Sequence, residues 1–348
     1  MNILENVDLR LYSTMKLGGR ARWLAEARKE QDVKELIDWA KQKGAPFIVI
    51  GQGSNIVWRD EGFIGLVIVN QIKGIEVLDE DDAELIVRIG AGEIWDEAVA
   101  WSVNRNLSGI EFLSRIPGLA GAAPVQNIGA YGAEIADVLK EVAVYDAQTD
   151  SFETILAGGC DFAYRTSRFK TTDKGRFAIL NITLKLKKTN PTPPFYESLQ
   201  NSLTSQGISE YTPKIIRNAV TEIRKIKLPD PSVVANNGSF FTNPIVDESK
   251  FKELQQKYPN IKSWPMRERS DLSRSTVKIS AGWMVEKTGF KGVHDSQTGM
   301  ATWDDSALVL INEHAQKTAD LLAFKQKILD KVKEMFGITL DQEPELLP

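Results

Sequence analysis

The chain has 348 residues, 42% hydrophobic and 26% charged, with a net charge of −4 at pH 7, which fits a soluble globular protein of two or three domains. That balance gives no electrostatic footprint for nucleic acid. The single Cys160 excludes an intrachain disulfide and a multi-cysteine metal site, and His294 and His314 are too far apart for a helical metal pair.

Residues 1–13, MNILENVDLRLYS, carry Glu5, Asp8 and Arg10 where a signal peptide needs an apolar run. Nothing in the chain approaches the ~18 apolar residues of a membrane span. The expectation is a cytoplasmic protein with no membrane partner. MKLGGRARW, residues 15–23, reads as a turn entering a strand. The spacing of Val33, Leu36, Ile37 and Ala40 predicts a helix over 30–43, closed by Gly44. PFIVIGQGSN is a buried strand running into a glycine turn, and GLVIVN at 65–70 is another strand.

GQGSN, residues 51–55, is not a dinucleotide fingerprint, because Ile56 stands where a third glycine is needed, and no Gly-Lys-Ser/Thr run exists to make a P-loop. Two readings remain open for it: a backbone nest for an anion, with Ser54 and Asn55, or a purely structural turn. The acidic run at 76–84, EVLDEDDAE, reads as a solvated hairpin. Residues 85–107 read as strand, turn and amphipathic helix; Trp95 breaks the glycine pattern of GAGEIW.

Residues 116–134, IPGLAGAAPVQNIGAYGAE, hold four glycines and five alanines, with little side-chain bulk to build a core. Small residues at this density let backbone wrap closely against a ligand. Gln126, Asn127 and Tyr131 supply orienting hydrogen bonds to a ring or phosphate. VAVYDA and FAILNITLKLK follow as strands, and between them GCDFAYRTSRFK gathers Tyr164, Arg165, Arg168 and Lys170. Proline-rich segments at 189–195 and 227–232 mark boundaries around a helix at 213–225. In the last third, helices are expected at 248–257, at 277–292 closed by Gly289, and at 317–336, with ALVLIN a buried strand.

Taken in order, GQGSN, IPGLAGAAPVQNIGAYGAE, FAYRTSRFK, KLPDPSVVANNGSFFTNP, SAGW, ALVLIN and a terminal EPE closely resemble the UDP-N-acetylenolpyruvoylglucosamine reductase (MurB) family over nearly the whole chain. The resemblance implies an α+β fold: a two-lobed FAD-binding domain of the vanillyl-alcohol oxidase (PCMH) type, and a smaller α+β C-terminal substrate-binding domain. The lobes would be 1–70 and 71–227, the second joined by the tail 337–348, and the substrate domain 228–336. It also implies NADPH as co-substrate, a UDP-sugar substrate whose enolpyruvyl double bond is reduced in peptidoglycan precursor synthesis, and a monomer. Both histidines lie outside the flavin region, so the FAD is expected to be non-covalent.

Residue by residue, the resemblance places Gly51, Gly53, Ser54 and Asn55 on the FAD diphosphate, with Pro117, Gly118, Gly121, Gln126, Asn127, Gly129 and Ala130 along the flavin and adenine. Arg165 would grip the substrate carboxylate as charge develops there, since a guanidinium binds a carboxylate through two bonds and stays charged. Ser239 would protonate C2, and Glu345 would stabilise the enol form as a protonated acid. Tyr164, Tyr196, Lys227, Asn243, Trp264, Lys278 and Lys291 would contact substrate or nicotinamide, with Tyr196 on a loop that closes the site, as in one branch of the family.

The chain departs from the family pattern in three places. Trp264 stands where relatives carry a tyrosine, Ser306 where an amide is usual, and Asp341 and Gln342 look like an insertion before EPE, only three residues from the end. Two other readings compete: a PCMH-type oxidase of another small molecule, and a catalytically inert sugar-nucleotide binder that keeps its flavin.

Overall fold

The computed structural model describes residues 2–265 and 276–348. They fall into two compact units: Met1–Val7, Ala21–Gln52 and Phe63–Lys225 form the first, and Asp8–Arg20, Gly53–Gly62 and Ile226–Pro348 the second.

The first unit holds two sheets. In one, Arg20–Ala27 and Phe47–Ile50 flank Phe63–Asn70 and both run parallel to it. Parallel neighbours need a crossover, which the helix Glu30–Gln42 supplies, burying Val33, Leu36, Ile37 and Ala40 on one stripe. The other sheet is antiparallel, in the order Ser151–Leu156, Leu139–Asp146, Phe177–Lys187, Glu84–Gly90, Ile75–Glu80. Side chains alternate across it, as the strand period of two demands. Val142, Val144, Ile182 and Leu184 face the core built on the helix Trp95–Val103. Tyr145, Ala178 and Leu180 face the other way, into the core of the parallel sheet. The acidic run lies in the hairpin of Ile75–Glu80 with Glu84–Gly90.

The second unit has a four-stranded antiparallel sheet, Ala235–Ser239, Ser306–Asn312, Met300–Trp303 and His294–Asp295, and a three-stranded one, Ile245–Asp247, Thr276–Ile279 and Ser263–Pro265. The helix Thr318–Phe336 lays Leu321, Phe324, Ile328 and Val332 into their shared core. Gly337, at φ +66°, ends it in the left-handed conformation that glycine takes without penalty.

Two sequence expectations need revision. The segment 277–292 is not one helix: Thr276–Ile279 is a strand, and only Ala281–Lys287 is helical. The β-branched Thr276, Val277 and Ile279 favour the strand, and Ser280 starts the helix by accepting from the Trp283 N–H at 3.1 Å. The tail also lies elsewhere than with residues 71–227. Its strand Glu345–Leu347 runs parallel to Ile56–Trp58, and both strands are in the second unit.

Candidate active site

Within the first unit, the glycine-rich stretch packs as its composition requires. A Cβ on Gly121 would lie 2.5 Å from the Ala91 Cβ, and the Gly121 N–H donates to Ala91 O at 2.9 Å. Gly118, at φ +118°, gives its carbonyl to the Trp95 N–H at the head of a helix. Gly51 rests on Leu119, with a notional Cβ 3.3 Å from Leu119 Cδ1. Gly129–Ala130 and Ala133–Glu134 form a two-residue hairpin whose corner residues, Tyr131 and Gly132, have φ of +50° and +87°. Positive φ at both corners is the type I′ geometry that matches strand twist. A tyrosine there is strained, and strain in non-glycine residues gathers at functional sites.

The Tyr164–Arg165 turn is built against that hairpin. Ala163 and Thr166 exchange backbone bonds at 3.2 Å across it, and Asn127 Nδ2 donates to Ala163 O at 3.1 Å and to Glu134 Oε2 at 3.0 Å. Asn127 therefore holds the loop together. Arg165, itself at φ +55°, donates from Nη2 to Gly129 O at 2.8 Å and lies 5.4 Å from the Tyr164 ring centroid. Tyr196 meets Tyr131 edge-on with ring centroids 6.0 Å apart. Burial, then the nearby Glu197, Tyr131 and Tyr164, pushes the Tyr196 hydroxyl above the ordinary tyrosine range. Arg165, Tyr164 and Tyr196 thus come together around the hairpin that carries Gly129 and Ala130.

The sequence reading missed three groups here. Arg217 grips Asp96 through Nη1 and Nη2, at 2.6 and 2.9 Å, and the Arg115 N–H donates to the same carboxylate at 2.5 Å. Burial alone would raise the Asp96 pKa; the Arg217 and Arg115 contacts outweigh it and hold the carboxyl below its usual range. Arg224 bonds Arg115 O at 3.2 Å, its Nε is buried without a partner among the described residues, and burial lowers its pKa. The signal was present in the helix Pro213–Lys227. Ile216 and Val220 form its buried stripe, and Arg224 continues that stripe four residues on.

In the second unit, the carbonyls of the 53–55 turn are all engaged. Gly53 O accepts from the Thr14 N–H at 3.1 Å, Ser54 O from Asn237 Nδ2 at 3.2 Å, and Asn55 O from the Glu345 N–H at 2.9 Å. A trans peptide points its N–H opposite its carbonyl, so the N–H groups of Ser54, Asn55 and Ile56 each turn away from the partner of the preceding carbonyl. Backbone N–H groups that converge make an anion-binding nest. Gly53, at φ +73°, has no room for a side chain: a Cβ would lie 2.1 Å from Tyr12 O.

Ser239 ends its strand at a bulge, where register shifts between Asn236 and Ser239 and Gly238 has φ +69°. Bulges re-aim side chains, and the Ser239 hydroxyl has no hydrogen-bond partner among the described residues. The tail threads next to this bulge. The Thr242 N–H donates to Asp341 O and the Glu343 N–H to Phe240 O, both at 2.9 Å. Gln342 Nε2 donates to Pro344 O at 2.7 Å, and its Oε1 accepts from Lys325 Nζ at 3.1 Å. Ser239, Glu345 and Asn55 are therefore joined through a few backbone bonds.

The expected substrate residues divide. Trp264 pairs with Lys278 across two strands, with Nζ 6.0 Å from the ring centroid. Asn243 Oδ1 accepts from the Ala281 N–H at 2.9 Å, at the head of a helix. Lys291 lies 3.4 Å from Glu286, an exposed ion pair, and Lys227 is exposed at the end of its helix. Pro117, Gly121 and Gln126 lie in the same loop.

Residues 21–154 match the model of an FAD-binding domain, and residues 230–347 that of the UDP-N-acetylenolpyruvoylglucosamine reductase C-terminal domain. The chain is 36% identical over 347 residues to the UDP-N-acetylenolpyruvoylglucosamine reductase of Pseudomonas aeruginosa, covering 99% of each chain. It is 36% identical to that of Alcanivorax borkumensis, covering 99% of this chain and 96% of the relative. The crystal structure of the reductase from Thermus caldophilus superposes with a TM-score of 0.67 at 22% identity over the full length of both, a likeness of fold.

Proposed function

The chain belongs to the UDP-N-acetylenolpyruvoylglucosamine reductase family, and from that premise we propose how its own residues carry out the family reaction. The protein is an FAD- and NADPH-dependent oxidoreductase that reduces the enolpyruvyl double bond of UDP-N-acetylenolpyruvoylglucosamine, giving UDP-N-acetylmuramate for peptidoglycan synthesis. The observation that carries this is identity of 36% along 99% of both chains with a named reductase. No described helix is long and apolar enough to cross a membrane.

When bound, FAD would supply two-electron transfer between NADPH and the double bond. The 53–55 turn would hold its diphosphate through backbone N–H groups, a reading supported by the engagement of the turn's carbonyls with Thr14, Asn237 and Glu345. Pro117, Gly118, Gly121, Gln126, Asn127, Gly129 and Ala130 form the loop beside the flavin and adenine; at Gly121 its backbone packs on Ala91 too closely for a side chain. Arg165 takes the substrate carboxylate. Its guanidinium is already anchored at Gly129 O, so little reorganisation accompanies the build-up of negative charge. Ser239 gives its hydroxyl proton to C2, a weak acid acting on a strongly basic carbon. Glu345 steadies the enol form, and the backbone bonds of the tail keep it beside the 53–55 turn.

Tyr164 and Tyr196 cover the substrate beside Arg165. Trp264 stacks on the uridine diphosphate in place of a tyrosine, with Lys278 and Lys291 supplying positive charge to the diphosphate. Lys227 and Asn243 reach phosphate or nicotinamide groups. The protein acts as a monomer without nucleic acid.

The test is anaerobic rapid mixing of the purified protein, watching the visible flavin band. NADPH should bleach it and UDP-N-acetylenolpyruvoylglucosamine should restore it. Bleaching without recovery would overturn the proposed roles of Arg165, Ser239 and Glu345.

A further inference from the structure

Asn237 is almost wholly buried, 5% exposed, two residues before Ser239. Its Nδ2 lies 3.0 Å from Thr14 Oγ1, 3.2 Å from Ser54 O and 3.3 Å from Ile56 O. Two amide hydrogens are thus shared among three acceptors. Its Oδ1 is buried with no partner among the described residues. An orphaned amide oxygen destabilises a fold, and an apolar side chain would carry no such penalty. The donor end is therefore what the position uses.

That end spans two functional segments. On one side it fixes the carbonyl of Ser54, and with it the direction of the Asn55 N–H, and also the carbonyl of Ile56 at the start of the strand Ile56–Trp58. On the other, Asn237 sits inside the bulge that aims Ser239, where the Gly238 N–H donates to Asn236 Oδ1 at 2.8 Å. Thr14 completes the link: its N–H and its carbonyl bond Gly53 O and the Asn236 N–H, each at 3.1 Å.

We propose that Asn237 is a positioning residue whose buried amide ties the 53–56 turn to the Ser239 bulge, setting together the N–H groups that take the FAD diphosphate and the hydroxyl that delivers the proton. This rests on the roles given above to that turn and to Ser239. Asn237 touches neither cofactor nor substrate; it acts through the backbone of the residues that do.

The test compares Asn237→Ala and Asn237→Asp with the parent holoenzyme. FAD release on dilution, followed by flavin fluorescence, should quicken by about tenfold or more, a factor equal to one buried hydrogen bond. Recovery of the flavin band with the enolpyruvyl substrate should slow by about tenfold with a larger solvent isotope effect, while bleaching by NADPH stays within about twofold. A change in unfolding midpoint alone, with release and recovery as in the parent, would overturn the proposal. Should neither variant fold, Thr14→Val removes one of the three acceptors and should move both readouts the same way by a smaller factor; parent values in that variant would also overturn it. Ser239→Ala, run beside them, separates two failures. Parent-like recovery in Ser239→Ala would overturn the role of Ser239 itself. Slow recovery there, beside parent-like recovery in Asn237→Ala, would overturn the positioning role.

Discussion

Asp96 and Arg217 join the helix Trp95–Val103 to the helix Pro213–Lys227 through two parallel charge-assisted bonds of 2.6 and 2.9 Å. The same carboxylate holds the Arg115 N–H, at a residue with φ +58° on the threshold of the glycine-rich stretch. Arg217→Ala leaves a partly buried carboxylate with one backbone donor, and should destabilise the protein by roughly 1–3 kcal/mol. Urea unfolding checks this, with a lower midpoint and an unchanged slope.

Arg165 should not be replaceable by lysine. An ammonium cannot span Gly129 O and a carboxylate with a planar fork. Arg165→Lys should slow recovery of the flavin band by the enolpyruvyl substrate about 10²-fold, the usual cost of losing a preorganised donor. Bleaching by NADPH should be nearly unaffected in the same rapid-mixing run.

Glu345→Gln should lower kcat by about 10–10²-fold with a small change in KM, as for a group engaged mainly in the transition state. Gln342→Ala should reproduce part of that loss without touching substrate. It removes the bonds to Pro344 O and Lys325 that frame the approach to Glu345. A parent-like kcat in Glu345→Gln would remove that residue from the mechanism.

Strong acid should act on the fold through Asp146. Its carboxyl accepts from Arg176 at 2.5 and 2.9 Å and from the Gln148 N–H at 2.8 Å. The Arg176 contact, ahead of the opposing effect of burial, lowers its pKa from 3.8 to about 2. A lowered carboxyl stabilises the fold above the unfolded pKa and loses that contribution as pH falls through the folded one. The gap in stability between the parent and Asp146→Asn, on the order of 1 kcal/mol at neutral pH, should therefore close between about pH 4 and pH 2.

Glu111 should behave with the opposite sign. It is fully buried, with Oε2 accepting from the Gly109 N–H at 2.5 Å and Oε1 unpartnered among the described residues, and burial raises its pKa. Stability tied to its neutral form is complete below the unfolded value and declines as pH rises through the folded one. Glu111→Gln should flatten that decline, read from unfolding midpoints as pH rises above the ordinary glutamate range.

What was legible in the sequence was what backbone chemistry dictates locally. The helix of Val33, Leu36, Ile37 and Ala40 and the glycine turns at 51–53 and 118–132 follow from residue type and spacing alone. The roles proposed for Arg165, Ser239 and Glu345 rest on the family motifs around them. The bonds of Asn237 to Thr14 and Ser54 join positions 223 and 183 residues apart, and no local period encodes such a pairing. The 277–292 error had a related cause: a short apolar run fits either period, and pairing with Ile245–Asp247 and Ser263–Pro265 decides for the strand.

The parallel pairing of Ile56–Trp58 with Glu345–Leu347 also bears on how the protein is made. During synthesis, Ile56–Trp58 emerges long before Glu345–Leu347. The earlier strand must wait for its partner with its edge unsatisfied, and an exposed edge is a template for wrong partners. Chains cut just before Glu345 leave that edge open while losing little of the core. Such truncation should therefore yield protein that aggregates rather than protein that is merely inactive.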